Sequence, residues 1–135
     1  MESYNEKSVD LSINSLTDVV VARRKGLNLA MEMGFSTPDA TKIAVVISEL
    51  GRNIMLYAKG GHITFTLPND GEYFKIIAED QGPGIENLDL VMSGSYTSSQ
   101  GLGLGISGSQ RLMDDFDVQT EQGKGTKITA VKQRR

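Results

Sequence analysis

Glu49 and Asn53 stand four residues apart in Glu49-Leu50-Gly51-Arg52-Asn53, a spacing that puts a carboxylate and a carboxamide on one helix face, about 5–6 Å from each other. Such a carboxylate can take a proton from an attacking hydroxyl, and such an amide can offer its carbonyl oxygen to a hard cation such as Mg²⁺. Ile47, Leu50 and Ile54 mark an apolar stripe beside them, so the pair flanks the core and can point into a cleft against a sheet. Taken alone, a solvated helix face is the commoner explanation of such a pair. Gly51 leans the other way, because a glycine inside a helix costs roughly 1 kcal/mol against alanine and often marks a close backbone approach.

Three further segments carry chemistry of a different kind. In Asp80-Gln81-Gly82-Pro83-Gly84 an aspartate at a strand end can accept a hydrogen bond from an exocyclic amine, while the glycines let the backbone approach a flat ligand; a plain turn explains the segment equally well. Gly101-Leu102-Gly103-Leu104-Gly105 leads into a helix, which places free N–H groups where an anion would sit. No Gly-Lys-Ser/Thr follows it, and position 106 is isoleucine, so neither a Walker A loop nor a Rossmann fingerprint is present. Gly123-Lys124-Gly125-Thr126 reads, as a lone signal, as a hairpin turn.

The elements that must position these residues are readable from periodicity. Val9, Leu11 and Ile13 alternate with polar neighbours as a short strand. Ser15 with Asp18 caps a first helix that stops at Gly34, and Thr37, Pro38 and Asp39 open a second that runs to about Ala58 through Ile43, Val46, Ile47, Leu50 and Ile54. Strands follow over His62 to Leu67 and Tyr73 to Ala78, joined by a turn at Pro68-Asn69-Asp70-Gly71. A long Gly- and Ser-rich stretch from Asp80 to Gly105, a helix from about Leu104 to Met113, and strands near Phe116–Thr120 and Thr126–Lys132 complete the chain. The expected architecture is an α+β two-layer sandwich, with about three helices on one face of a mixed, mainly antiparallel sheet of about five strands. Thr64, Thr66, Thr120 and Thr129 are candidates for the solvated face, and the methionines at 31, 33, 55, 92 and 113 for core and lid packing.

Composition bounds the chemistry. The 135 residues contain no cysteine and one histidine, His62, which excludes thiolate chemistry, iron–sulfur clusters and a multi-histidine metal site. A formal net charge of −3 argues against a nucleic-acid partner. The N-terminus is polar and acidic and no stretch is apolar enough for a membrane span, so a cytoplasmic location is expected. Lys124, Lys127 and Lys132-Gln133-Arg134-Arg135 form a small basic concentration that could face an acidic partner or simply be solvated.

In order along the chain, Glu49-x-x-x-Asn53, Asp80-x-Gly82-x-Gly84, Gly101-x-Gly103-x-Gly105 and Gly123-x-Gly125-Thr126 resemble the ATP-binding signature of the gyrase, Hsp90, histidine kinase and MutL superfamily. The stretches 47–54, 76–85 and 111–114 are similar to the RsbT-type serine/threonine kinases of stressosome signalling. That resemblance implies a Bergerat-type ATP-binding fold and a single kinase domain over 1–135, with ATP and Mg²⁺ as cofactors. By motif it implies that Asn53 holds Mg²⁺ between the phosphates and that Asp80 recognises the adenine amino group, supported by Thr126. Gly82 and Gly84 would line the base pocket, Gly101, Gly103 and Gly105 would wrap the phosphates, residues from about Asn87 to Gln100 would form a mobile lid, and Glu49 would be the general base. The implied substrates are STAS-domain proteins of the stressosome, and the implied second partner is a PP2C-type phosphatase that the released kinase activates.

Some positions stand apart from the pattern. Gly51 stands where closer relatives often carry alanine, and Arg52 and Lys59 are open between phosphate contact and surface charge. His62, at a strand start, is not a phosphoacceptor, and the chain is too short for a gyrase- or Hsp90-like motor. Two rival readings are an anti-sigma-factor kinase that sequesters a sigma subunit, and a binding module that uses ATP to control partner exchange without phosphoryl transfer.

Overall fold

In the computed structural model, which describes residues 6–85 and 105–135, five strands and three helices form two layers. The order is β1 (Lys7–Ile13), α1 (Leu16–Glu32), α2 (Thr37–Tyr57), β2 (Gly61–Leu67), β3 (Tyr73–Asp80), α3 (Gly105–Leu112), β4 (Asp115–Glu121) and β5 (Gly125–Gln133). The sheet runs β1-β2-β3-β5-β4. All its pairings are antiparallel, where the sequence allowed for a mixed sheet.

Ser15 caps α1 by accepting from the Asp18 amide, as its spacing predicts. The cap of α2 is Ser36 and not Thr37: the Ser36 hydroxyl accepts from the Asp39 amide, and Thr37 is already helical. Both residues are cap formers and Pro38 is tolerated in either frame, so only the local geometry decides.

Alternation sorts the strands into two faces. Phe65, Phe74, Ile63, Ile76, Ala78, Ile128 and Ala130 point to the helices and are buried, with the Phe65 and Phe74 rings 5.2 Å apart. From α2, Ile43, Val46, Ile47, Leu50 and Ile54 meet them, each worth about 1.5–3 kcal/mol of apolar burial. That sum far exceeds the roughly 1 kcal/mol that Gly51 costs the helix. Gly51 is itself a packing device, since a Cβ there would lie 2.9 Å from Val19 Cγ1 of α1. It lets α1 and α2 approach, and it does not loosen the helix.

The opposite sheet face carries Thr64, bonded to Asp10 at 2.9 Å, together with Thr66 and Thr129. Thr120 departs from expectation: it shares parity with Phe116 and Val118, and so faces the helices. Met113 is buried and Met33 and Met55 pack on the core, but Met31 is exposed; Met92 lies outside the described residues.

The basic tail is not a free patch. Lys132 is buried, its Nζ 3.1 Å from the Leu112 carbonyl at the end of α3 and 3.9 Å from Asp39 in the first turn of α2. Arg134 donates to the Gly71 carbonyl, and Arg135 pairs with Asp114 through two contacts of 2.6 and 3.1 Å. Lys124 pairs with Glu121 at 3.2 Å.

Candidate functional site

The polar face of α2 is not solvated. Glu49 and Asn53 are 6% and 9% exposed, a burial that carboxylates and carboxamides accept only when something engages them. Arg52, a third exposed, places Nη1 3.4 Å from Oε2 of Glu49. One turn further along, Tyr57, Ala58 and Lys59 join Gln81, Gly82 and Pro83 in lining a cavity of about 650 Å³, within the range of small-molecule sites. Tyr57 was not singled out from the sequence, although its i+4 spacing from Asn53 was the available signal.

Asp80 ends β3 on the helix-facing side, continuing the buried row Phe74, Ile76, Ala78. Its register partners are Gly61 of β2 and Thr126 of β5, and Thr126 in turn pairs with Thr120 of β4. One line across the sheet therefore gathers Asp80, Thr126 and Thr120. The Thr120 and Thr126 hydroxyls are 2.9 Å apart, and Thr120 accepts from the Ile85 amide at 2.9 Å. Burial pushes the Asp80 carboxyl above the ordinary aspartate range, and backbone hydrogen bonds from Gly82 and Thr126 offset only part of that. A buried carboxylate with unspent acceptor capacity is suited to a neutral, donor-bearing ligand edge. A smaller cavity, about 380 Å³, also reaches Asp80, Thr120 and Thr126 at this end of the sheet.

The segment after Asp80 is held from both sides and is more than a turn. Gly82 donates to Oδ1 of Asp80 at 2.9 Å, and a Cβ at 82 would sit 2.5 Å from the Tyr57 carbonyl oxygen. Gly84 adopts φ +87° with Glu121 O 2.7 Å from where its Cβ would be, and the Gly123 amide donates to Pro83 O at 2.8 Å. The β4–β5 hairpin thus fastens the Gly82–Gly84 backbone beneath the end of α2, and the hairpin glycines belong to the site.

Gly105 begins α3 in a left-handed conformation, φ +61°. Gly101, Gly103 and the lid expected over 87–100 lie outside the described residues. His62 sits 3.6 Å from Glu79 on the outer face, away from the Glu49–Asn53 face. Among the described residues no three His, Cys, Asp or Glu side chains cluster as a metal cage. The one amide of Asn53 fits a cation that arrives with polyphosphate oxygens and water.

The sequence matches the histidine kinase-, DNA gyrase B- and HSP90-like ATPases over residues 38–135. It is 48% identical over 117 residues to the serine/threonine-protein kinase RsbT of Bacillus subtilis (strain 168), covering 85% of this chain and 88% of that protein. It is 31% identical over 113 residues to the anti-sigma F factor of Clostridium acetobutylicum, covering 79% of each. The fold superposes with a TM-score of 0.66 and 17% identity on the crystal structure of the RsbU and RsbW domains of Rv1364c from Mycobacterium tuberculosis, over 96% of this chain and 32% of that one. On the mycobacterial sensor histidine kinase MprB the TM-score is 0.54 at 18% identity, over 97% and 99%. At such identities these two are likenesses of fold.

Proposed function

The chain belongs to the histidine kinase-, DNA gyrase B- and HSP90-like ATPase family, among its RsbT-type partner-switching serine/threonine kinases, and on that footing we propose that it phosphorylates a serine or threonine of a STAS-domain partner with ATP and Mg²⁺. When released, it binds and activates a PP2C-type phosphatase. The observation that supports this reading best is the pairing of a buried Glu49–Asn53 face on α2 with Asp80 and Thr126 side by side at the end of β3 and the start of β5.

In this reading Asp80 accepts from the adenine amino group, and Thr126 holds the other side of that contact. Gly82 and Gly84 let the backbone lie against the base, and Tyr57 lines the cavity beside them. Asn53 would hold Mg²⁺ through its side-chain oxygen, and the ion would supply charge to neutralise the phosphates. Gly101, Gly103 and Gly105 supply amides to the phosphates. The acceptor oxygen forms its bond to the γ-phosphorus as the bond to the bridging oxygen of ADP breaks, and the hydroxyl proton passes to Glu49. Positioning and charge stabilisation supply the remainder of the rate.

The test is incubation with γ-labelled ATP, Mg²⁺ and a STAS-domain partner, read by mass spectrometry for phosphoserine and phosphothreonine, with Glu49→Gln beside the parent. Label on the partner that falls by at least 10²-fold in the variant, at unchanged ATP affinity, is the expected result. Undiminished transfer removes Glu49 as the base. ATP binding with no transfer to any STAS partner favours the nucleotide-controlled binding module, and co-purification with a sigma subunit favours the anti-sigma-factor kinase.

A further inference from the structure

The general base proposed above has a partner whose purpose that reading leaves open. Glu49 has a side chain only 4% exposed, on a helix whose neighbouring positions Val46, Ile47 and Leu50 are fully buried and apolar. A carboxylate so placed needs a charge or a donor to keep one orientation. Among the described residues, the cation within 4 Å of it is Arg52, one turn along the same helix, with Nη1 3.4 Å from Oε2. The contact engages Oε2 and leaves Oε1 without a partner among the described residues. Arg52 itself keeps a side chain 31% exposed, so its guanidinium reaches from solvent into the buried face, and among the described residues only Nη1 of its five-donor fork is engaged.

An i, i+3 pair on an open helix surface contributes a few tenths of a kcal/mol and fixes little, because both side chains move freely. Here one member is buried and its rotamer is confined by packing, so the other need only restrain the carboxylate's remaining rotation about its terminal bond. A base that must lie within hydrogen-bond reach of an incoming hydroxyl loses rate steeply with small misplacement. We infer that Arg52 is a positioning residue for phosphoryl transfer: it holds Glu49 by Oε2 so that Oε1 receives the proton of the acceptor hydroxyl. This inference rests on Glu49 being the base. It gives Arg52 a role through Glu49 and none in holding nucleotide.

Five proteins decide it: the parent, Arg52→Ala, Arg52→Lys, Glu49→Gln and the double variant Glu49→Gln/Arg52→Ala, the last compared with Glu49→Gln. Single-turnover transfer of labelled phosphate to the STAS partner gives the rate, and calorimetry with Mg²⁺-ATP gives the affinity. Arg52→Ala is expected to lower the transfer rate about 10- to 100-fold with the ATP dissociation constant within about twofold of the parent. Arg52→Lys, which keeps a cation within reach of Oε2, recovers most of that loss. In the Glu49→Gln background, removal of Arg52 changes the residual rate by less than about twofold, since the group it positions is gone. An equal fold loss in both backgrounds, or a loss of ATP affinity that matches the loss of rate, overturns the inference and assigns Arg52 to the phosphates. If Arg52→Ala does not fold, as read by circular dichroism, the lysine variant decides: a rate as low as that of Glu49→Gln refutes positioning by charge. If Glu49→Gln transfers phosphate as fast as the parent, it is the assignment of the base that fails, and the two failures are told apart.

Discussion

Replacing Gly125 by alanine tests whether the Asp80 end of the candidate site is held by backbone contact. Gly125 opens β5 at φ +108°, a conformation L-residues rarely adopt, and a Cβ there would strike the Asp80 carbonyl oxygen, with Asp80 C and Gln81 Cα each at 3.0 Å. Every one of those atoms is main chain, so no rotamer change relieves the crowding. The strained φ costs about 1–3 kcal/mol, and parting β5 from β3 adds about 1–3 kcal/mol of overpacking, which makes roughly 2–6 kcal/mol in all. The control is Gly123→Ala two residues earlier, where φ is +82° but nothing lies within 4 Å of the added carbon; it carries only the backbone part. Urea unfolding followed by circular dichroism reads both. With a slope of about 1–3 kcal/mol per molar, the additional roughly 1–3 kcal/mol should place the midpoint of the Gly125 variant about 0.3–3 M below that of the Gly123 variant, and ATP affinity should fall more in the first than in the second. Equal unfolding free energies, within about 0.5 kcal/mol, would refute the argument that contact of β5 with the Asp80 backbone is what the glycine serves.

Asp80→Asn should trade function for stability. Because burial raises the folded-state carboxyl, ionising it at neutral pH costs folding free energy, so the isosteric amide is expected to raise Tm; on the proposed adenine contact, exchanging one acceptor oxygen for an NH₂ weakens ATP by about 10-fold or more, and a drop in Tm with unchanged affinity would contradict both. Acid unfolding should show the Asp114–Arg135 pair. The hydrogen bond from Arg135 brings Asp114 from 3.8 to about 2, against some desolvation and with help from the Gln133 amide and Lys132. A depressed folded-state value contributes stability that is full above about pH 4 and disappears as pH falls toward 2. Asp114→Asn should lose on the order of 1 kcal/mol at pH 7, allowing for solvent screening, and should flatten the parent's pH dependence across that window in denaturant titrations.

The second helix was readable because five apolar residues at helical spacing leave no strand alternative, β2 because Ile63, Phe65 and Leu67 alternate with polar neighbours, and β3 because a short apolar run from Tyr73 to Ala78 follows a turn. What local sequence does not carry is what arrives from afar. Whether Glu49 faces water depends on helices packed beside α2, one of which begins at Gly105. The side of Thr120 depends on a register that only the pairing with Thr126 fixes. The basic tail reads as surface charge until Asp39, Gly71 and Asp114 are brought to it across the fold. Asp80 and Thr126 lie 46 positions apart in the sequence and become direct neighbours only through the β3–β5 register; their relationship was legible by resemblance and not by spacing.

Lys132 has a mechanical consequence. Its ammonium joins the first turn of α2, at Asp39, to the last turn of α3, at Leu112, while the proposed chemistry lies at the opposite end of both helices. At about 1.5 Å per residue, Gly105 lies roughly 11 Å from that fastening along α3, and Glu49 roughly 15 Å from it along α2. The two helices therefore resemble tweezers riveted at the end away from the grip. Sliding of one past the other is opposed at the rivet, whereas splaying is resisted least where the arms are longest. A pivot of about 10° there displaces Gly105 by about 2 Å on this geometry, enough to change the opening available at the glycine end while the core beneath Lys132 keeps its packing.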